Sequence, residues 1–338
     1  MPPLYVTQQG AHLRVRNRRL QIERSEEVLA RIPLAHVSQV VLFGNIGLTT
    51  PAISALLSRS IEVVFLTQSG SYRGHLLGQE TPHVPLRRAQ YLRLGDEDFK
   101  LELAKRIVTA KLRHQRALLQ RHNREQEDPE IASAVARVQA GLEQVPRKNV
   151  LTSLRGVEGS AAAAYFSGYR RLFGEEWHFT ARLRRPPPDP VNAMLSLGYT
   201  LLASIASGAV SAVGLDPYAG FLHDLAYNRP ALGLDLMEEF RPVVDGVVLR
   251  LVSEGTIRPE DFRLVKGDTL TGPVRGVLLE EESRKRFIQA FEQRMEAAFT
   301  HPVQRRKLPL RQCLLEQARQ IRRCVESGTV TFQGMGFR

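Results

Sequence analysis

Short apolar runs alternate with turn residues over the first 80 positions, and beyond them the apolar residues recur at helical spacing. Leu4 to Thr7, Leu13 to Arg16 and Leu20 to Glu23 have strand length and are separated by Gln8-Gln9-Gly10 and Asn17-Arg18-Arg19, which read as turns. Val37 to Phe43 and Ile61 to Leu66 are β-branched and apolar, as strands are. Between them Thr50-Pro51 predicts a helix start, with threonine as N-cap and proline at the first helical position, and an end near Arg59. Ser69-Gly70 predicts a turn and Tyr72 to Leu77 a last strand. A polar stretch with two prolines, Gln79 to Pro85, then marks a boundary. Leu101 to Arg124 follows as a long basic amphipathic helix, with Leu101, Ala104, Val108, Leu112 and Leu119 near one face. Asp128-Pro129, Asp189-Pro190 and Asp216-Pro217 read as further helix starts, and Glu280 to Glu326 as two basic helices broken at Pro302. The expected fold class is α+β: a small β-rich N-terminal domain over residues 1–80, a linker over 81–88, and a larger all-helical domain over 89–338.

Composition changes this picture in one respect. A hydrophobic content of 43% is ordinary for a folded chain of 338 residues, but 47 Lys+Arg against 35 Asp+Glu is not. The excess of twelve positive charges favours a phosphate-rich partner. Arginine dominates the clusters at 14–19, 182–185, 284–286 and 305–307, and its fork matches phosphate oxygens. Cys313 and Cys324 lie eleven apart, on one face of a single predicted helix, and no CxxC exists to bind zinc through thiolates. A reducing cytoplasm fits that usage, and the first residues lack the apolar run of a signal peptide. Met194 to Leu215 runs 22 residues without a charge, but its five Ser and Thr and three Gly point to a buried core helix rather than a membrane span.

Three short stretches carry the candidate chemistry. Gly156-Val157-Glu158-Gly159 places a glutamate between two glycines inside a predicted helix, where each glycine costs ~1 kcal/mol relative to alanine. That cost points to a close approach there, either of a second helix or of a DNA backbone. His223 follows in Phe221-Leu222-His223-Asp224, in an apolar setting where a lone histidine is more often a core residue than a ligand. Ala231 to about Ser253 reads as one helix, with Leu236, Met237, Phe240, Val243, Val244, Val247, Val248 and Leu251 on its apolar face. Asp235 and Glu238 fall on the opposite face, about 60° apart at ~100° per residue. A solvated face is the plain reading of that pair alone. Taken together, imidazole and carboxylates form a ligand set that suits Mg²⁺ or Mn²⁺.

These stretches, in this order, resemble the CRISPR adaptation integrase family, the CRISPR-associated proteins that insert new spacers. The resemblance covers nearly the whole chain. It includes Gly44-Asn45, Leu48-Thr49-Thr50, Leu86 to Tyr91, Lys111 to Arg116, Gly156 to Gly159, Tyr165-Phe166, Arg185 to Ser196, and Phe221 to Pro242 as the most specific block. It implies that Glu158, His223 and Glu238 are catalytic and hold a divalent metal, Mg²⁺ or Mn²⁺, with Asp235 supporting them. It further implies a homodimer and a small second CRISPR adaptation protein as partner; the β-rich domain is the expected dimer interface. The substrates implied are double-stranded prespacer DNA and a CRISPR repeat, joined by transesterification in a prokaryotic cytoplasm. Arg182, Arg184, Arg185, Lys111 and Arg241 are the expected DNA contacts. The family often has asparagine where this chain has His114, and that helix is not expected to form the metal site. No GxxxxGK[ST] run is present, as expected of a reaction that exchanges one phosphodiester for another. A stand-alone metal-dependent nuclease for branched or linear DNA and a non-catalytic nucleic-acid scaffold remain as alternatives.

Overall fold

A computed structural model describes residues 2–25, 27–78, 83–183, 186–269 and 272–336, with backbone alone at 266–269 and 272–275. Two compact units divide the chain, Met1–Thr81 and Pro82–Arg338.

The first unit holds two four-stranded sheets. Its strands are β1 (Leu4–Val6), β2 (His12–Arg16), β3 (Arg19–Arg24), β4 (Glu27–Pro33), β5 (Gln39–Phe43), β6 (Gly47–Leu48), β7 (Glu62–Leu66) and β8 (Tyr72–Leu76), with helix α1 (Thr50–Leu57) between β6 and β7. One sheet runs β1-β5-β7-β8, parallel except for the last pair. The other runs β4-β3-β2-β6, antiparallel except where β6 joins β2. The predicted turn at Asn17-Arg18 is a two-residue hairpin with φ of 49° and 59°, the left-handed pair that suits strand twist. Leu13, Leu20, Val40, Leu42, Leu56 and Val63 bring both sheets and α1 into one core. Full burial of such a side chain is worth roughly 1.5–3 kcal/mol, and a one-residue slip would turn a strand's set outward.

The second unit is mostly rather than entirely helical. It contains α2 (Val84–Leu94), α3 (Glu97–Gln126), α4 (Pro129–Gln144), α5 (Leu151–Tyr169), α6 (Pro190–Ala212), α7 (Ala231–Met237), α8 (Arg241–Ser253), α9 (Glu281–Glu296) and α10 (Leu310–Ser327). Helix α2 begins inside the stretch expected to be linker. Two antiparallel pairs correct the all-helical expectation: β9 (Phe262–Thr269) with β10 (Gly272–Leu279), and β11 (Ala298–Thr300) with β12 (Lys307–Pro309). The second falls at the break expected at Pro302.

Aspartates start helices where a proline follows. Asp128 accepts from Glu130 N at 2.7 Å and Asp189 accepts from Asn192 N at 2.8 Å. Asp216 departs from the pattern: Oδ1 accepts from Tyr218 N at 2.8 Å and Oδ2 from Tyr91 Oη at 2.8 Å, making a turn with no helix after it. Helix α6 is long and apolar enough to cross a membrane, yet 61% of that window is buried against its own unit, where α7, α8 and α10 pack on it. Cys313 and Cys324 are both free and buried on α10.

Candidate functional site

The predicted single helix from Ala231 to Ser253 is two, joined by a 3-10 turn at Glu238–Phe240. Pro242 starts the second, because it has no N–H to continue the first. The turn carries Asp235 and Glu238 into the protein: Asp235 is fully buried and Glu238 nearly so, at 3% exposure. A solvated face is therefore the wrong reading of this pair.

Asp235 spends its carboxylate on the histidine loop. Its Oδ2 accepts from Phe221 N at 2.6 Å and Leu222 N at 2.9 Å, and its Oδ1 accepts from His223 N at 2.9 Å. The same Oδ1 lies 2.7 Å from His223 Nδ1. Carboxylate accepts only, so Nδ1 carries the proton and the lone pair of the neutral ring is on Nε2. That nitrogen lies 3.8 Å from Glu238 Oε1. Arg155 ties the loop down from the other side, donating to Leu222 O at 2.7 Å and pairing with Asp224 at 2.7 Å. Arg155 precedes Gly156 on α5, so a single side chain joins the histidine loop to the Glu158 segment. Further back, Gln90 is fully buried and brackets the start of this loop through Asp216 N, Asp216 O and Ala219 O.

Two cations complete the cluster. Arg241 Nε donates to Glu238 Oε1 at 2.7 Å, and its guanidinium lies 4.6 Å over the Tyr199 ring. Lys111 on α3 pairs with Glu158 Oε1 and stands 2.5 Å from Glu238 Oε2. The second contact is a close ion pair in a buried setting. Burial pushes the Glu238 carboxyl up, but Arg241, Lys111 and His223 outweigh it and hold the group well below the usual carboxylate range. It is ionised at neutral pH.

The glycines beside Glu158 settle a question the sequence left open. A Cβ on Gly156 or Gly159 would meet nothing within 4 Å, so no second helix packs there. The same helix shows the contrast at Gly168, where a Cβ would lie 2.7 Å from Ala134 Cβ. Both glycines next to Glu158 are exposed, and the face they share is open to a ligand.

The structure thus brings Glu158, His223, Asp235 and Glu238 together, and adds Lys111 and Arg241 to them. Neither cation is open to a duplex: their side chains are 7% and 14% exposed and paired with the carboxylates. Arg182 is also engaged, donating to Asn192 Oδ1 at 2.8 Å and Ser196 Oγ at 3.2 Å on α6. Arg184 and Arg185 lie outside the described residues. The His114 helix supplies none of the three candidate ligands, but Lys111, one turn before His114 on α3, pairs with two of them. The signal for Lys111 was in the pattern: it follows Ala104 and Val108 on the apolar stripe, and a lysine placed there needs an anion.

As a metal site, the donors have the right chemistry. Two carboxylates and an imidazole nitrogen suit a hard or borderline divalent ion, and the Glu158 and Glu238 oxygens already share one cation, the Lys111 ammonium. Among the described residues no three such side chains already stand in ligand geometry. A groove on α3, lined by Lys105, Arg106, Arg113 and residues 330–336, includes none of the four acidic and histidine residues.

The family model described as CRISPR associated protein Cas1 matches residues 4–293. The chain belongs to the Cas1 family. CRISPR-associated endonuclease Cas1 1 of Thermus thermophilus is 41% identical over 320 residues, covering 94% of each chain. A CRISPR-associated exonuclease Cas4/endonuclease Cas1 fusion of Geobacter sulfurreducens is 39% identical over 330 residues, 95% of this chain and 58% of the fusion. The chain therefore spans little more than half of that relative. Among solved structures, a chain of a Cas6-RT-Cas1–Cas2 complex superposes with a TM-score of 0.84 at 26% identity, over 98% of this chain and 36% of that one. A casposase bound to integration product shares the fold, with a TM-score of 0.83 at 23% identity, over 98% and 93% of the two chains.

Proposed function

We propose that this protein is a metal-dependent DNA integrase and endonuclease of CRISPR spacer acquisition. It joins the 3′-hydroxyl ends of double-stranded prespacer DNA to a CRISPR repeat by transesterification. The observation that carries the reading is the convergence of Glu158, His223 and Glu238, with Asp235 setting the histidine tautomer. Those three residues would hold Mg²⁺ or Mn²⁺, which when bound supplies Lewis acidity toward a phosphoryl oxygen.

The rest is the work of the chain itself. Asp235 and Arg155 fix the loop so that His223 Nε2 faces Glu238. Arg241 keeps Glu238 ionised and oriented. The bare face at Gly156 and Gly159 would let a phosphodiester backbone come close to α5. Positive charge elsewhere on the chain would hold the duplex through phosphates, with affinity falling as salt rises.

Membership of the family, together with a fold match to a chain of a Cas1–Cas2 assembly, supports the small second adaptation protein as partner. The homodimer, its interface on the β-rich unit and a cytoplasmic location belong to the same proposal. Curated relatives are named endonucleases, so cutting without joining is the second reading, on the same residues. The test is strand joining with purified protein, a labelled duplex with free 3′-ends and a supercoiled repeat-bearing plasmid, with Mn²⁺ or chelator and with the small partner added. Metal-dependent joined product that vanishes in His223→Ala supports the integrase. Cleavage without joining, partner present, leaves the nuclease, and binding with neither activity removes both.

A further inference from the structure

Lys111 stands where the proposed cation would share its two glutamates. Its side chain is 7% exposed, and its Nζ contacts both Glu158 and Glu238. Without it, two carboxylates of like charge would face each other across the site, Glu238 with only 4% of its side chain in solvent. A buried charge of that kind must be paired. A lysine also has a flexible four-carbon stem, so its ammonium can withdraw without moving the helix that carries it.

We infer that Lys111 is a resident counter-ion, a positioning residue that keeps Glu158 and Glu238 together in the metal-free protein and is displaced when a divalent cation binds. Metal uptake is then an exchange of ammonium for metal rather than a simple filling. Lys111 lowers the protein's affinity for metal while pre-setting the two carboxylates that receive it. The inference rests on the metal reading proposed above, and it concerns binding before any DNA is present. By linkage, removing one of two mutually exclusive occupants must tighten the other.

The test is Mn²⁺ binding to the full chain, read from the free-ion electron paramagnetic resonance signal, for wild type, Lys111→Met and Glu158→Ala. The binding constant should tighten about fivefold or more in Lys111→Met, the low end of such couplings, and weaken in Glu158→Ala. Reductive methylation of the wild type, read by peptide mass spectrometry, supplies a measurement that needs no variant. Lys111 should be protected in chelator and become reactive when Mn²⁺ is added. If Lys111→Met does not fold, as judged by circular dichroism, the methylation result decides alone. Binding that weakens in Glu158→Ala but is unchanged or weaker in Lys111→Met, with Lys111 equally protected at all Mn²⁺ concentrations, overturns the inference and leaves the metal reading standing. Equal Mn²⁺ binding by wild type and Glu158→Ala overturns the metal reading itself.

Discussion

Helices α5 and α8 and the turn before α8 carry two buried acidic clusters that differ in how their charge is met. At one end Glu158 and Glu238 are matched by cations, Lys111 and Arg241. About two helical turns along, Asp245 is buried and matched by neutral donors: Tyr165 Oη at 2.7 Å and Tyr199 Oη at 2.5 Å, with Tyr169 Oη on its backbone carbonyl at 2.9 Å. Cations lower one carboxyl well below its ordinary range. Burial raises the other to about 6, even though Tyr199 and Tyr165 pull it back. Carboxylates stand in both, and their partners distinguish them: cations at the candidate site, neutral hydroxyls at the second cluster, a node that ties α5, α6 and α8 together.

Activity gives the sharpest break in that comparison. Glu158→Ala or His223→Ala should lower metal-dependent strand joining by at least about a hundredfold, while urea unfolding shifts by less than about 1 kcal/mol. Asp245→Ala should do the reverse. It leaves two buried tyrosine hydroxyls without acceptors, at about 1–3 kcal/mol each, so a loss of roughly 2–5 kcal/mol in urea unfolding is expected. A site-like result for Asp245 or a node-like result for Glu158 would dissolve the distinction.

The pH dependence of stability separates the two clusters next. Asp245 binds its proton more tightly folded than unfolded, so its contribution is full below its unfolded value near 4 and weakens as pH rises through about 6. Glu238 runs the opposite way: its contribution is present above its unfolded value and lost as pH falls. In Asp245→Asn the first slope disappears. The wild-type-minus-variant stability should therefore fall by up to roughly 2–3 kcal/mol between pH 4 and pH 7, measured by urea titration at each pH.

The smallest effects come from the glycines of α5. Gly168→Ala forces a methyl group against Ala134 and should cost about 1–3 kcal/mol. Gly156→Ala meets nothing and should stabilise the helix by up to about 1 kcal/mol. Under the proposed function Gly156→Ala should also weaken DNA joining, a gain of stability with a loss of activity. Thermal unfolding and the joining assay on the same two proteins would show it.

Much of this architecture is legible from side-chain period alone. The strands of the first unit and the helices α3 to α6 follow their apolar spacing, and Asp128 and Asp189 cap where their prolines predict. Misses occur where tertiary contact outweighs local pattern. Strand β4, Glu27–Pro33, is half-buried with charges at 27 and 31, and its pairing with β3 gives it its shape. The hairpin of β9 and β10 carries Gly267, Gly272 and Gly276, which blur a period of two. At the site, period correctly grouped Asp235 with Glu238, but the smooth-helix assumption put them in solvent. The break before Pro242 was written in the sequence, as was Lys111 on an apolar stripe. Gln90 and Arg155 carried no such sign, since their partners, Asp216 and Leu222, lie 126 and 67 positions away.

The groove on α3 that lies beside the site holds a consequence of timing. Glu239, the neighbour of Glu238, is buried, and its carboxylate accepts from Met335 N at 2.8 Å and Gln317 Nε2 at 2.7 Å. His114 reaches across the same seam, between Glu239 O at 2.7 Å and Met335 O at 2.5 Å, a contact that spans 221 positions. During translation, every candidate ligand has been made by residue 238, yet the donors that fix the neighbouring turn emerge almost a hundred residues later. A nascent chain paused between those points carries all the chemistry and none of the clamp. Contacts of such long sequence separation close slowly, and this clamp on the turn beside Glu238 can form only once Gln317 and Met335 have been made.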